Sequence, residues 1–403
     1  MDKINVSRRT VLAVGGTSLA TVLLQRAALA QGTGPIRIGV LIPLTGSTSQ
    51  FGASMGKAAQ LAVEEINAVG GVRGRKIEVV VEDDQSTPEA AVRAARKLID
   101  VDKVIAICGT YASAVTSAVA PLCWEAKVPL FTASGADSIT ALPHQGYIFR
   151  TQPTTFLQGT RVGQFALELG AKNVFFMGPQ TPFAQSYLDT ISATVAKAGG
   201  TGGGLIYEDK KASYRSEVDR ALKTNPDAIV LGGYVPDTAV VIRDLFRAGY
   251  DKRRIGFSFG VNSKLLEAAP ADLLEGVYSL VGSAAVSSQT YKRLTAKLKV
   301  DSADAYTCQV YDHINVVALA LAAGGGNMNG LAIHGSVRGI TQDPAGKAVD
   351  SAAEGLKLLA NGTKVNFDGA SGPLEFADNG DVKGVFFRYE QIRAGKLIVT
   401  KIA

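Results

Sequence analysis

From Ile36 to Ala248 the chain keeps returning to one pattern: a short β-branched run, then a longer stretch whose apolar residues fall three and four apart. Ile36 to Ile42 reads as a buried strand, and Ala58, Leu61, Ala62 and Ile66 place a helix over Lys57 to Val69, stopped by Gly70-Gly71. Strands follow at Lys76–Glu82, Val104–Cys108 and Pro129–Thr132, with helices from Thr87-Pro88 to Ile99 and from Ala112 to Ala126 between them. After Gln158 the rhythm restarts. Helices to Leu169, over Phe183–Lys197, Ser213–Lys223 and Pro236–Ala248 alternate with strands Asn173–Met177, Gly204–Tyr207 and Ala228–Leu231. Strands separated by helical crossovers pair in parallel, because each helix returns the chain to the same sheet edge. The fold class is therefore α/β, with two doubly wound parallel-sheet lobes. Gly276–Val281 reads as a strand crossing between lobes, Tyr306–Ala323 as a long helix returning to the first, and the glycine run Gly199–Gly204 as a flexible turn.

Of 403 residues 46% are hydrophobic and 19% charged, enough apolar material for two cores and too little charge for a disordered chain. The net charge of +6 is partly a matter of the first 30 residues, where Lys3, Arg8, Arg9 and Arg26 face only Asp2. The remainder has no run of like charges, so no nucleic-acid partner is expected. Residues 1–30 read as an export signal: Arg8-Arg9, a mild apolar stretch from Val11 to Leu24, and Ala28-Leu29-Ala30 before a cut. The stretch is short of the roughly 20 residues that cross a bilayer. The arginine pair resembles the signal read by the twin-arginine export machinery. With Gln31 after the cut no lipid anchor is expected, and the mature chain should be soluble in the periplasm.

Catalytic and cofactor chemistry has thin support. Gly52-Ala53-Ser54-Met55-Gly56 matches the spacing of a hydrolase nucleophile elbow, but Ser54 stands at a helix entrance well after its strand. His144, His313 and His334 are scattered and share no motif with it, so an exported hydrolase is the weakest rival reading. No phosphate-binding GK[ST] loop exists, and no cofactor or metal is expected. Asp83-Asp84 reads as a solvated strand end. Cys108, Cys123 and Cys308 are expected as buried thiols, a Cys108–Cys123 bridge being conceivable on export.

A series of phrases, in order along the chain, resembles the leucine/isoleucine/valine-binding family, the periplasmic receptors of ABC importers. They are Ile38-Gly39-Val40, Pro43-Leu44-Thr45-Gly46, Gln50-Phe51-Gly52, Glu65 to Gly74, Asp83-Asp84 with Pro88, Phe149-Arg150-Thr151, Gln158-Gly159, Gly232-Gly233-Tyr234, Gly372 to Phe376 and Gly380-Asp381. The resemblance implies a type I periplasmic binding fold with three hinge strands, lobe one at 35–153 and 284–371, lobe two at 154–283 and 372–403. It also implies a small-molecule ligand, delivery to a permease driven by separate ATPase subunits, and a monomer. A ligand-sensing partner of a membrane receptor is a rival use of the same fold.

By this resemblance Ser113, followed by Ala114, stands where the family binds a ligand carboxylate, and Ser134, Gly135 and Ala136 where it offers backbone groups. A strand ending in Gly109-Thr110-Tyr111-Ala112 before a helix start suits an anion, since the free N–H groups carry partial positive charge. Where the branched-chain binder has a threonine this chain has Ala136; where it has a glutamate for the ligand ammonium, Phe259; and where the family often has an aspartate, Thr155. The family's disulfide cysteines fall at Ser86 and Ala112. A buried ammonium without a carboxylate costs several kcal/mol, so an amino acid is disfavoured unless Asp137, Asp237 or another acid reaches the cleft. Phe51, Phe183, Tyr234 and Tyr311 match cleft positions, the choice between Tyr306 and Tyr311 staying open, and Tyr111 and Phe259 add rings. That composition fits a hydrophobic or aromatic carboxylate, with amino acids and amides as the alternatives.

Overall fold

The computed structural model describes residues 34–402, so the signal segment lies outside the described residues. The first series runs β1 (Ile36–Ile42), α1 (Gly52–Ala68), β2 (Ile77–Asp83), α2 (Pro88–Arg96), β3 (Ile107–Gly109), α3 (Ser113–Glu125), β4 (Leu130–Thr132) and β5 (Ile148–Arg150). Its five strands form one sheet in the order β2-β1-β3-β4-β5, parallel throughout. Thr87 caps α2 by accepting the Ala90 N–H, with Pro88 in the first turn as its missing N–H allows. The third strand lies later than expected, at Ile107–Gly109, and only there does it pair with β1 and β4.

The second series runs α4 (Thr155–Glu168), β6 (Asn173–Pro179), α5 (Pro182–Lys197), β7 (Thr201–Tyr207), α6 (Arg215–Leu222), β8 (Ala228–Leu231), α7 (Val235–Arg247), β9 (Arg253–Phe257), α8 (Ser263–Ala268), α9 (Ala271–Leu274) and β10 (Tyr278–Ser283). Then come α10 (Gln289–Leu298), α11 (Ala305–Ala323), α12 (Gly330–Thr341), β11 (Lys347–Val349), α13 (Ala352–Ala360), β12 (Val365–Phe367), β13 (Phe386–Arg393) and β14 (Lys396–Ile402). The second sheet has the order β14-β13-β10-β9-β8-β6-β7. It is parallel from β7 to β10 and antiparallel at β13 and β14. That terminal hairpin departs from the purely parallel expectation; no helix separates the two strands, so they fold back on each other.

The glycine run is not simply a turn. Thr201–Gly204 belongs to β7, and a side chain at Gly202 would place its Cβ 2.4 Å from Ser192 Cα on α5. The glycines let helix and edge strand touch.

Helix α11 is buried along almost its whole length and packs on α1 and β3, so the chain after β10 returns to the first sheet. It also grips the segments that pass between the sheets. Asp312 accepts the Ala370 and Ser371 N–H groups at 2.8 and 2.7 Å. His313 Nε2 lies 2.8 Å from Thr151 Oγ1, and Gln309 Nε2 donates to Gln152 Oε1 at 2.8 Å. Arg150, fully buried, donates to the Gly135 carbonyl at 3.0 Å, the Ala136 carbonyl and Thr140 Oγ1, while pairing with Asp381 at 2.6 Å. A buried guanidinium is tolerated when its donors are this fully used.

Candidate functional site

In open parallel sheets the space beyond the carboxyl ends of the strands, where the winding reverses, is where helix starts and loops converge. In the first sheet that point lies between β1 and β3. The turn out of β3 is tight: Gly109 has φ +111 and a Cβ there would lie 2.6 Å from the Leu41 carbonyl, while Thr110 has φ +22. Only glycine fits the first of these. The turn places Ala112 at the N-cap of α3, where it offers no side-chain oxygen, so the first-turn N–H groups stay available. Ser113 is the first helical residue, not the cap. Its Oγ accepts the Ala136 N–H at 3.2 Å, which leaves its own proton to donate.

These groups border a narrow cavity that opens to solvent on one side. Tyr111, Ser113, Ala133, Gly135 and Tyr306 line it from the first sheet's side, and Gln152 from the connecting segment. Thr155 and Gln158 of α4, Phe183 and Tyr187 of α5, Tyr234 after β8 and Phe259 after β9 line it from the second. The second wall is a packed aromatic surface. Phe183 meets Tyr234 and Phe259 at 5.5 and 5.4 Å, and Tyr187 stacks on Phe257 at 4.1 Å. Across from it Tyr111 meets Tyr306 edge-on at 4.7 Å. Burial pushes the hydroxyls of Tyr111, Tyr187, Tyr234 and Tyr306 above their ordinary range. Near neutrality all four are uncharged donors.

Of the residues singled out from sequence, Ser113, Gly135, Tyr111, Phe183, Tyr234, Phe259 and Thr155 come together at this cavity. Five do not line it. Phe51 stands behind the wall, 5.0 Å from Tyr111 and 4.9 Å from Tyr306. Ala114, half-buried in the first turn of α3, is not among the lining residues. The Ser134 hydroxyl points into the lobe, donating to the Tyr111 carbonyl at 2.8 Å. Ala136 contributes the N–H that Ser113 holds. Tyr311 is fully buried elsewhere, its hydroxyl on the Glu65 carboxylate, and Tyr306 takes the cleft instead. As site residues, sequence reasoning passed over Gln152, Gln158, Ala133 and Tyr187; Tyr187 lies four residues beyond Phe183 and so on the same helix face.

No aspartate, glutamate, lysine, arginine or histidine lines the cavity among the described residues. Asp137 takes the hydroxyls of Thr155 and Ser186 and the Phe156 N–H, and Asp237 takes Tyr214 Oη at 2.7 Å and the Lys210 N–H at 2.9 Å. Both acids are spent. Asp83 and Asp84 correct the solvated reading, because Asp84 is fully buried. Burial pushes Asp84 up to about 6, whereas for Asp83 donors from Thr45, Gln85 and Leu44 outweigh desolvation and hold it below the usual range.

Ser54 Oγ donates to the Phe51 carbonyl at 2.9 Å, a helix-start contact. The histidines are engaged elsewhere: His144 with the Gly146 N–H, His313 with Thr151 and His334 with the Gln145 carbonyl. Cys108, Cys123 and Cys308 are buried free thiols, so the conceivable Cys108–Cys123 bridge is not formed. Ser86 instead bonds Thr48 Oγ1 at 2.8 Å. Among the described residues no helix is long and apolar enough to cross a membrane.

Two sheets with a cavity where their strand ends face one another define a two-lobed solute-binding protein of type I. The model of the periplasmic binding protein family matches residues 35–383. The chain belongs to that family, in its leucine/isoleucine/valine-binding branch. It is 27% identical over 362 residues to the leucine-, isoleucine-, valine-, threonine- and alanine-binding protein of Pseudomonas aeruginosa, covering 87% of this chain and 88% of that one. A leucine-binding protein of Thermotoga maritima superposes with a TM-score of 0.79 at 24% identity, over 91% and 98% of the two chains. A solute-binding protein of an ABC transporter from Rhodopseudomonas palustris, solved with 3,4-dihydroxybenzoic acid, superposes with a TM-score of 0.72 at 22% identity, over 92% and 97%.

Proposed function

We propose that this chain is the extracytoplasmic receptor of an ABC importer and takes a small hydrophobic or aromatic carboxylate, of benzoate or phenylpropenoid type. One observation carries the reading: the cavity joins an uncapped helix start and a free serine proton to a wall of rings, with no carboxylate. The first pair favours an anion. The rings favour a flat apolar body. An α-ammonium would enter without a counter-charge, at a cost of several kcal/mol. The dihydroxybenzoate-bound neighbour supports the reading, and the amino-acid receptors among the relatives supply its rival.

The jaws would be 35–153 with 284–371 and 154–283 with 372–403. Ligand touching both biases the pair toward the closed form, which the permease reads, with energy coming from separate ATPase subunits. Export would use the twin-arginine machinery, and the receptor would act as a monomer.

A thermal-shift and calorimetric panel of benzoate, hydroxybenzoates, cinnamate, leucine, valine, alanine and urea tests the ligand class. Aromatic acids should raise the melting temperature most. Strong stabilisation by leucine with none by aromatic acids would establish the amino-acid reading instead.

A further inference from the structure

We infer that Gln152 reads a second polar group on the ligand, as an N–H donor whose orientation Gln309 imposes. The inference rests on the aromatic-carboxylate reading and narrows it. Gln152 is 4% exposed and lines the cavity from the segment joining the two sheets, away from both walls. A glutamine can present either oxygen or NH2. Here the choice is made from behind. Gln309, buried on α11, donates to the Thr151 carbonyl at 3.4 Å and to Gln152 Oε1 at 2.8 Å. A backbone carbonyl only accepts, so the NH2 end of Gln309 must face it, and that end then takes the oxygen of Gln152. The Nε2 of Gln152 is left with no protein acceptor among the described residues. Gln309 Oε1 meanwhile stays buried without a partner, an unusual sacrifice in a packed interior.

The cavity thus has two donor stations, Ser113 with the start of α3 and the amide of Gln152. A ligand whose one anionic group docks at α3 leaves the amide unsatisfied once water is excluded. One carrying a further acceptor oxygen satisfies it. The geometry therefore fits an aromatic acid bearing a ring hydroxyl.

Calorimetric titration with benzoate and with 2-, 3- and 4-hydroxybenzoate tests this in the wild-type chain and two variants. Gln152→Leu removes the donor and introduces neither a charge nor a new acceptor for a ring hydroxyl. Gln309→Leu leaves Gln152 intact and frees its orientation. In the wild type the best hydroxybenzoate should bind about tenfold tighter than benzoate. Gln152→Leu should bring that ratio close to one, and Gln309→Leu should lower it part of the way. Benzoate binding with a wild-type ratio near one, or a ratio that survives in Gln152→Leu, overturns the inference alone. Failure of every aromatic acid to bind the wild type overturns the ligand reading beneath it as well.

Discussion

The two walls of the cavity are built by different means. The first sets two rings, Tyr111 and Tyr306, beside a main-chain anchor: a tight turn at Gly109-Thr110 aims the uncapped start of α3, and Ser113 adds one hydroxyl. The second is made of side chains, with Phe183, Tyr187, Tyr234 and Phe259 carried at the ends of three neighbouring strands and packed ring against ring. Backbone donors are fixed once the fold is fixed, so the first wall can hold a charge but cannot easily change what it recognises. Rings can be exchanged without moving a strand. On the proposed function, specificity belongs to the second wall and to the connecting segment, and the anchor to the first.

Gly109→Ala attacks the anchor where it depends most on backbone. The φ of +111 and the Leu41 carbonyl at 2.6 Å leave no room for a methyl. Urea unfolding should show a loss of about 2–4 kcal/mol, with carboxylate binding abolished; stability close to wild type would separate the polar wall from this turn. Phe183→Ala strips a ring from the other wall and should weaken aromatic acids by about 2–3 kcal/mol, with a smaller loss for a short aliphatic acid. Equal losses would dissolve the division of labour.

Helix α11, which grips the connecting segment, has its own signature. Burial drives His313 down to about 3 from the ordinary value near 6.5. A depressed histidine contributes stability above pH 6.5 that is lost as pH falls toward 3, up to about 2 kcal/mol between pH 7 and 5. Asp84 and Asp312, raised by burial to about 6 and about 7, act in the opposite sense and gain stability as pH falls. His313→Gln should therefore hold more of its stability on acidification than wild type does, in urea titrations at the two pH values. Identical slopes would mean His313 is not held neutral.

Ser113→Ala should cost every carboxylate about 1–2 kcal/mol, aromatic and aliphatic alike, and leave a neutral amide analogue untouched. An unchanged dissociation constant removes Ser113 from the anchor. The smallest effect is expected at Tyr311→Phe, whose hydroxyl serves Glu65 away from the cavity; ligand affinity should move by less than about 0.5 kcal/mol. A larger change would bring Tyr311 back toward the cleft.

Most of the fold was legible because each element announces itself locally. Thr87-Pro88 marks a helix start by chemistry contained in two residues, while the same pair at Thr181-Pro182, just ahead of the helix expected from Phe183, went unread. The departures from family positions at Ala136, Phe259 and Thr155 could be read from the residues themselves as well. What escaped notice was set by packing. Ser134 turns inward because the Thr110 and Tyr111 carbonyls need a donor there. Asp84 is covered although its neighbour is not, and Gln152 gains its role only from a residue far along the chain.

Tyr306 and Tyr311 mark the boundary between the two kinds of knowledge. Residues five apart on an α-helix point about 140° away from one another, so the sequence alone required that they could not both face the ligand. It could not choose between them. Helix α11 is buried on every side, its polar residues Gln309, Asp312, His313 and Asn315 included, and without a solvent-facing stripe its sequence does not fix its rotation. That rotation came from contact with α1 and β3, and with it the ring that lines the cavity and the amide that faces Gln152. Local chain chemistry determined the parallel sheets and the strand-to-helix handover; long-range packing decided which side chains the cavity would present.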